Sequence, residues 1–155
     1  EYLEAAIKAY MAIEPGHIAV FDSSGDQMAA HWGELWSTAA SVKGCRGAVI
    51  DGGVRDVERI IEMGFPIFAR YRSPADIRGR WRYVEVGGPI RIGEVVIESG
   101  DLVVGDANGV VVVPQRLAAE VLVQAESVVE TENKIRQELK AGENPLTLYR
   151  KYQRF

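Results

Sequence analysis

The sequence has few of the residues that mark secreted, membrane-bound or nucleic-acid-binding proteins. Its single cysteine, Cys45, excludes an intrachain disulfide and a zinc site made of several cysteines. No apolar run approaches the roughly 18 residues of a membrane-spanning helix, and no secretory signal pattern opens the chain. Lys and Arg number 18 against 22 Asp and Glu, which gives a net charge of -4 and no cluster of basic residues for phosphates. We therefore expect a cytoplasmic protein that binds neither membrane nor nucleic acid.

The rest of the composition is typical of one globular domain. The chain has 155 residues, of which 47% are hydrophobic and 26% are charged. A chain of this length buries roughly two-thirds of the surface that it exposes when unfolded. These values argue against a disordered chain and against a coiled coil. We expect a single domain over residues 1–155.

Apolar runs alternate with helical patterns in the first half of the chain. The patterns predict helices over residues 2–13, 29–42 and 56–63, and strands over residues 17–21, 47–50 and 66–69. Short helical crossovers between apolar strands indicate a parallel sheet with right-handed connections.

The second half begins with short β-type runs, closely spaced and separated by glycine turns. We predict strands over residues 81–86, 89–92, 94–97, 102–104 and 110–113, followed by a long helix over residues 116–140. The fold class is therefore α/β, with a parallel βαβ half, a β-rich half and helices packed outside.

The segment Asp51-Gly52-Gly53-Val54-Arg55-Asp56 carries the strongest functional signal. It reads as a strand that enters a glycine turn, which delivers Arg55 and Asp56 to the start of a helix. Ligands of open α/β sheets bind beyond the carboxyl ends of the strands, where this pair falls. Glycines at 52 and 53 would let a ligand approach the backbone closely. The alternative is structural, because Asp56 could cap the helix and Arg55 could be solvated.

A second candidate group opens the preceding helix, at Gly33, Glu34, Leu35 and Trp36. Glu34 could simply interact with the helix dipole. If the two helix starts flank one crevice, however, Glu34 and the Arg55-Asp56 pair converge, and the free backbone N–H groups of residues 33–36 form a cradle for an anion or an enolate.

These residues resemble the class II pyruvate aldolases, whose signature is an acid, a spacer and an Arg-Asp pair. Glu34, twenty intervening residues and Arg55-Asp56 match this signature. The class comprises the 4-hydroxy-4-methyl-2-oxoglutarate and 4-carboxy-4-hydroxy-2-oxoadipate aldolases, and its superfamily includes the regulator of ribonuclease activity A (RraA) proteins. The likeness runs in order through residues 15–16, 32–35, 47–56, 66–70, 100–106 and 109–114.

The resemblance implies a swivelling β/β/α fold that assembles as a homotrimer or as a hexamer of two trimers, with the site at a subunit interface. It implies that Asp56 binds Mg²⁺, Mn²⁺ or another divalent cation, with water in most other positions, and that Glu34 holds one of these waters. Arg55 would contact the keto-acid oxygen, and the backbone N–H groups of residues 33–36 would receive the pyruvyl carboxylate.

The implied activity is a lyase that cleaves small 4-hydroxy-2-oxo acids such as 4-hydroxy-4-methyl-2-oxoglutarate to pyruvate, with oxaloacetate decarboxylation at the same site. The alternative is a non-catalytic regulator of the RraA type, which binds a ribonuclease or helicase partner. The chain keeps Arg55, Asp56 and an acid at position 34, which favours the aldolase.

The sequence departs from the family pattern in three places. The family has an N-terminal segment of several tens of residues before the first helix, so we expect that the printed chain lacks this segment. Many relatives carry an acid three residues after the aspartate of the pair, where this chain has Arg59. Glu34 replaces the more usual aspartate, and its longer side chain can still hold a water.

Overall fold

One central strand, Gly47–Val54, organises the first part of the chain. A computed structural model describes residues 2–155, and its contacts divide the chain into two compact units, residues 1–112 and 113–155. The helices and strands of the first unit are α1 (Tyr2–Met11), β1 (Ile18–Asp22), β2 (Ala30–Trp32), α2 (Glu34–Val42), β3 (Gly47–Val54), α3 (Val57–Glu62), β4 (Ile67–Arg72), β5 (Ile90–Ile92), β6 (Val95–Ile97), β7 (Leu102–Asp106) and β8 (Gly109–Val113), the last of which ends at the unit boundary. β3 pairs in parallel with β1, β2 and β4, as the sequence predicts for the βαβ half.

β3 is buried along nearly its whole length, which its sequence explains. The strand reads GAVIDGGV, an apolar and glycine-rich run that suits a central strand covered on both faces. The hydrophobic core surrounds it and consists of Ala19, Trp32, Ala40, Cys45, Ala48, Ile50, Val54, Ile60 and Phe65. Cys45 is therefore a packed core residue, with its thiol 3.3 Å from the Gly47 carbonyl oxygen.

The helix predicted over residues 29–42 is wrong in its first part. Ala30–Trp32 forms the short strand β2, and α2 begins only at Glu34. Ala30 and Trp32 pair with the end of β3, and Ala30 also bridges to Asp76. Gly33 then adopts an extended conformation with φ -155°, which separates strand from helix. Tertiary pairing thus overrides the local helical pattern.

The glycine turn predicted at residues 52–53 is also wrong, because β3 continues to Val54. The two glycines make room for side chains and backbone instead of a ligand. A Cβ atom at Gly52 would lie 2.4 Å from His31 Nδ1, and one at Gly53 would lie 2.4 Å from the Ala29 carbonyl oxygen. The glycines therefore let the segment before α2 pack directly on β3.

We expect Gly53→Ala to lower the free energy of unfolding by about 2–3 kcal/mol, because the added methyl group meets a backbone carbonyl that cannot move aside. It would also lie 2.5 Å from the Tyr71 ring. Urea denaturation measures the change. Gly105→Ala is the matched control, since its methyl group meets only the Phe68 ring, which can rotate, and a smaller loss is expected. Equal unfolding midpoints for Gly53→Ala and the wild type would contradict this reading of β3.

The β-rich part contains two strand pairs. β5 pairs antiparallel with β6, and β7 pairs with β8. The strand predicted over residues 81–86 is absent from the described structure. Trp81 and Tyr83 instead pack edge-on against each other, and they contact the rings of His31 and Phe21 respectively. Burial raises the pKa of Tyr83 to about 12.

The second unit is helical. A short 3₁₀ turn, Gln115–Leu117, precedes α4 (Ala118–Lys140), and α5 (Pro145–Tyr152) follows. Asn144 caps α5 by accepting the Leu146 N–H, and Glu138 of α4 accepts from Lys151 and Tyr152 of α5. Among the described residues no helix combines the length and apolar character that a bilayer crossing requires. The expectation of one domain over the whole chain stays a prediction.

Candidate active site

Arg55 and Asp56 leave the end of β3 in a fixed backbone conformation. The Arg55 N–H donates to the Trp32 carbonyl oxygen at 3.0 Å, which ties the pair to β2. Asp56 has φ 57° and ψ 34°, the left-handed region that few residues other than glycine, asparagine and aspartate adopt. The backbone of this pair is therefore held in a conformation that an ordinary helix start does not need.

Asp56 does not cap the helix that follows it. Its side chain makes no capping hydrogen bond to α3. Instead Asp56 Oδ2 accepts the backbone N–H of Glu34 at 3.2 Å, at the start of α2. A carboxylate in this place satisfies one free N–H group and the positive end of the helix dipole. The sequence left open that Asp56 caps the helix that follows it. In the structure Asp56 instead caps the preceding helix, α2.

Gly33 is the contact point between the two candidate groups. It is buried, and a Cβ atom there would lie 2.8 Å from Asp56 Oδ2 and 3.1 Å from Arg55 Cγ. Only a residue without a side chain lets the start of α2 approach the pair this closely. The start of α2 and the Arg55-Asp56 pair are thus in contact at Gly33.

The first turn of α2 offers backbone N–H groups next to this contact. The Ser37 N–H donates to the Gly33 carbonyl oxygen, so the N–H groups of Leu35 and Trp36 precede the first bond of the helix ladder. The Leu35 side chain is exposed, whereas Trp36 packs against Trp32 and Tyr10. Any contact that Trp36 makes with an anion at the helix start would therefore come from its backbone.

The Glu34 side chain is half-buried and faces along α2. Its Oε1 accepts the Thr38 hydroxyl at 2.9 Å, a contact between successive turns of the helix. The link from Glu34 to Asp56 therefore runs through the backbone N–H, and the structure shows no direct contact between the two carboxylates. Glu34 stands beside the pair with one carboxylate oxygen engaged by its own helix.

Arg55 is held by a residue that the sequence did not single out. Arg55 Nη1 lies 2.9 Å from Asp76 Oδ2, and Nε lies 3.6 Å from Asp56 Oδ2. Asp76 also accepts the Arg78 N–H at 2.7 Å, and this bond together with the Arg55 guanidinium lowers the pKa of Asp76. The guanidinium is therefore fixed between two carboxylates. Because Asp76 lies in an irregular loop, no periodic pattern could indicate it.

A cleft of about 540 Å³ opens beside the pair. It is lined by Val54, Arg55, Asp56, Val57, Arg72, Ser73 and Pro74. The cleft lies beyond the carboxyl ends of β3 and β4, where open parallel sheets bind their ligands. Arg72 and the two residues after it form the wall contributed by β4 and the loop that follows.

Comparison with known proteins assigns the family. The family described as "RraA-like: Aldolase/RraA" matches residues 3–112. This chain belongs to the Aldolase/RraA family. The matched part contains both candidate groups of this Aldolase/RraA protein, and the family resemblance predicted from the sequence is confirmed.

Two relatives and one solved structure illustrate the similarity. An uncharacterized protein of Methanocaldococcus jannaschii is 38% identical over 82% of this chain and 61% of its own length. A Halalkalibacterium halodurans protein named "Putative 4-hydroxy-4-methyl-2-oxoglutarate aldolase" is 36% identical over 78% of this chain and 57% of its own. This Aldolase/RraA chain thus spans about three fifths of the length of these relatives.

The crystal structure of Streptomyces coelicolor RraAS2, described as an unusual member of the RNase ES inhibitor RraA protein family, superposes with a TM-score of 0.80. The two chains are 29% identical over 87% of this chain and 69% of that one. The predicted fold class, an RraA-like α/β domain with a parallel βαβ half, is therefore confirmed.

Asp56 is the candidate ligand for a divalent cation in this Aldolase/RraA protein. Among residues 2–155 no group of three or more His, Cys, Asp and Glu side chains could enclose a metal ion. Asp56 stands alone as a carboxylate on the cleft wall, and its side chain is 44% exposed. Mg²⁺ keeps several waters and accepts one or two protein carboxylates, so such an exposed acid suits it.

A buried histidine supports β3 just before the pair. His31 Nδ1 accepts the Gly53 N–H at 3.3 Å, so the neutral ring carries its proton on Nε2, which lies 3.1 Å from Asp26 Oδ2. Burial lowers the pKa of His31, which keeps the ring neutral and preserves its acceptor nitrogen. His31 is thus a packed residue that fixes the strand and does not line the cleft.

Proposed function

We propose that the protein is a divalent-metal-dependent lyase that cleaves 4-hydroxy-2-oxo acids, with 4-hydroxy-4-methyl-2-oxoglutarate as the leading candidate, to release pyruvate. One observation carries the proposal. The Asp56 carboxylate accepts the Glu34 N–H at the start of α2, and the Arg55 side chain lies beside it, across Gly33. A guanidinium, a carboxylate and the first turn of a helix thus lie together beside the cleft that Arg55 and Asp56 line, which supports this class of reaction. The family names of relatives support the class of reaction.

The proposed reaction passes through an enolate, whose negative charge must be stabilised. When the bond between C3 and C4 breaks, its electron pair goes to C3, and the carbonyl of C2 takes up the charge as an enolate. The 4-hydroxyl group loses its proton and becomes the carbonyl of the second product. For 4-hydroxy-4-methyl-2-oxoglutarate both products are pyruvate, after the enolate takes up a proton. Groups that stabilise the enolate oxygen lower this barrier.

Each side chain of the site has a task in this scheme. Arg55, held by Asp76, donates to the C2 oxygen, and the N–H groups of Leu35 and Trp36 receive the substrate carboxylate. Glu34 holds a water beside the reacting carbons and transfers its proton. A divalent cation at Asp56 would supply further positive charge for the enolate oxygen.

The same enolate forms when oxaloacetate loses carbon dioxide. The bond between C3 and the C4 carboxylate breaks, its electrons again remain on C3, and pyruvate follows after protonation. Arg55 and the α2 N–H groups would contact the same part of both substrates. We therefore propose oxaloacetate decarboxylation as a second activity of the site.

The direct test is pyruvate release by the full chain with Mg²⁺ and 4-hydroxy-4-methyl-2-oxoglutarate or oxaloacetate. We expect a rate well above that of Mg²⁺ with substrate alone, and its loss on addition of a chelator. A rate equal to the protein-free background with both substrates would defeat the proposal. Stoichiometric capture of a ribonuclease or helicase in that case would favour the regulator.

Three further parts of the proposal concern assembly and location. We propose a homo-oligomer, a trimer or a hexamer, with small 2-oxo acids as ligands. We also propose a cytoplasmic protein that does not act on nucleic acid. Light scattering of the purified chain tests the assembly, and a monomer at micromolar concentration would contradict it.

A further inference from the structure

We propose that Arg72 binds the distal carboxylate of the substrate and so makes the site selective for dicarboxylic 2-oxo acids. This inference rests on the proposed function, because it names the class of substrate for the same cleft. Arg72 is an exposed residue of the cleft wall, and it is the last residue of β4.

The backbone places Arg72 beside the catalytic pair. Arg72 is the register partner of Val54, the residue before Arg55, and the Ser73 N–H donates to the Val54 carbonyl oxygen at 3.0 Å. Two parallel strands therefore deliver one arginine each to the same end of the sheet. Since this register is fixed by backbone hydrogen bonds, the position of Arg72 does not depend on a flexible loop.

The two arginines differ in their partners. Arg55 lies between Asp56 and Asp76, so much of its charge is already balanced. Within residues 2–155 the Arg72 guanidinium has neither a carboxylate partner nor a side-chain hydrogen bond. Neighbouring Arg70, by contrast, is paired with the buried Asp51. Arg72 is thus the cation of this wall that is free to bind an anion.

The chemistry of the substrate matches this arrangement. A guanidinium binds a carboxylate with two parallel hydrogen bonds, and the pair is stronger than one between neutral groups. With the pyruvyl end at Arg55 and the start of α2, the other end of the substrate must extend along the cleft. A carboxylate there meets Arg72, whereas a methyl group gains nothing from it.

The test compares two substrates that share the pyruvyl end. These are 4-hydroxy-4-methyl-2-oxoglutarate, with a distal carboxylate, and 4-hydroxy-2-oxopentanoate, which keeps the methyl group on C4 but has hydrogen in place of that carboxylate. We expect Arg72→Met to lower kcat/KM about 10-fold to 100-fold for the first and less than about 3-fold for the second. Arg72→Lys should retain part of the preference. Arg46→Met is the matched control, an exposed arginine next to the opposite end of β3, and should change neither value.

A binding measurement keeps the inference separate from the activity. Calorimetry with 2-oxoglutarate and with pyruvate, both in Mg²⁺, should show that Arg72→Met weakens only the binding of 2-oxoglutarate. If Arg72→Met lowered the affinity for 2-oxoglutarate and for pyruvate equally, or left the affinity for 2-oxoglutarate unchanged, the role of Arg72 would be overturned. The lyase proposal would remain intact. Absence of turnover in the wild type would defeat the lyase, while the ratio of the two affinities would still decide whether Arg72 binds the second carboxylate.

Discussion

Replacing Arg55 by methionine is expected to lower kcat for pyruvate release by about 10²–10³-fold, the usual effect of removing one donor to a developing oxyanion. The loss should appear in kcat more than in KM, because the enolate charge exists only as the bond breaks. The fold should persist. The Arg55 side chain is 40% exposed, and its ion pairs with partly exposed acids contribute little to stability. Steady-state kinetics with a coupled pyruvate assay measure the effect.

Two control variants separate charge from geometry. Arg55→Lys retains the positive charge but loses the planar arrangement that reaches Asp76, so we expect an intermediate rate. Arg46→Met removes an arginine outside the cleft and should turn over like the wild type. A fully active Arg55→Met variant with an unchanged melting temperature would remove Arg55 from the mechanism.

Local pattern predicted the frame of the fold but not its shortest elements. The runs at the start of β3 and β4 are apolar and follow glycine or proline, so their strand character is visible in sequence. β2 has three residues, and the partners that make it a strand, Gly53 and Asp76, lie far along the chain. No window of sequence contains that information. The helical periodicity of the residues that follow β2 therefore led to a predicted helix that wrongly included β2.

The glycines at 52 and 53 show the same limit. A Gly-Gly pair before a helix usually indicates a turn. Here both glycines lie inside a strand, because neighbouring atoms leave no space for a side chain at either position. The His31 ring and the Ala29 carbonyl occupy the space where two Cβ atoms would be. Sequence reveals that a side chain is absent, whereas only the packing reveals what takes its place.

The candidate site was half visible in sequence. Arg55, Asp56 and the start of α2 follow from strand and helix boundaries, since both boundaries face the same end of the sheet. Asp76 was not identified as a member of the site, because its closeness to Arg55 depends on the return of β4 and on the loop after it. Contacts of this kind are set by register and loop geometry, neither of which has a periodic signature.

The conformation of Asp56 links the fold to the proposed chemistry. An aspartate in the left-handed region has a small backbone cost, and here it turns the carboxylate away from its own helix toward α2. The same carboxylate accepts a hydrogen bond from the Glu34 N–H and also lines the cleft. This arrangement explains why capping and metal binding need not exclude each other at this residue.

Asp56→Asn therefore tests the metal site without disturbing the backbone. Asparagine tolerates the left-handed conformation, and its amide oxygen can still accept the Glu34 N–H, so only the charge is lost. We expect Mn²⁺ to bind about 100-fold more weakly, measured by calorimetry, because a carboxylate and a divalent ion in contact attract by several kcal/mol even in a polar environment. Pyruvate release should fall in parallel. Asp56→Ala is a poorer variant, since alanine adds strain at φ 57°.

Glu58→Gln is the control for this loss of charge. Glu58 is an exposed acid in the first turn of α3, two residues beyond Asp56, and it is outside the cleft wall. Its replacement removes the same charge from the same region, so a general electrostatic effect would weaken Mn²⁺ binding in both variants alike. A selective loss in Asp56→Asn identifies a ligand. Unchanged Mn²⁺ affinity in Asp56→Asn would instead mean that the carboxylate only caps α2, and the proposed lyase would lose its metal site.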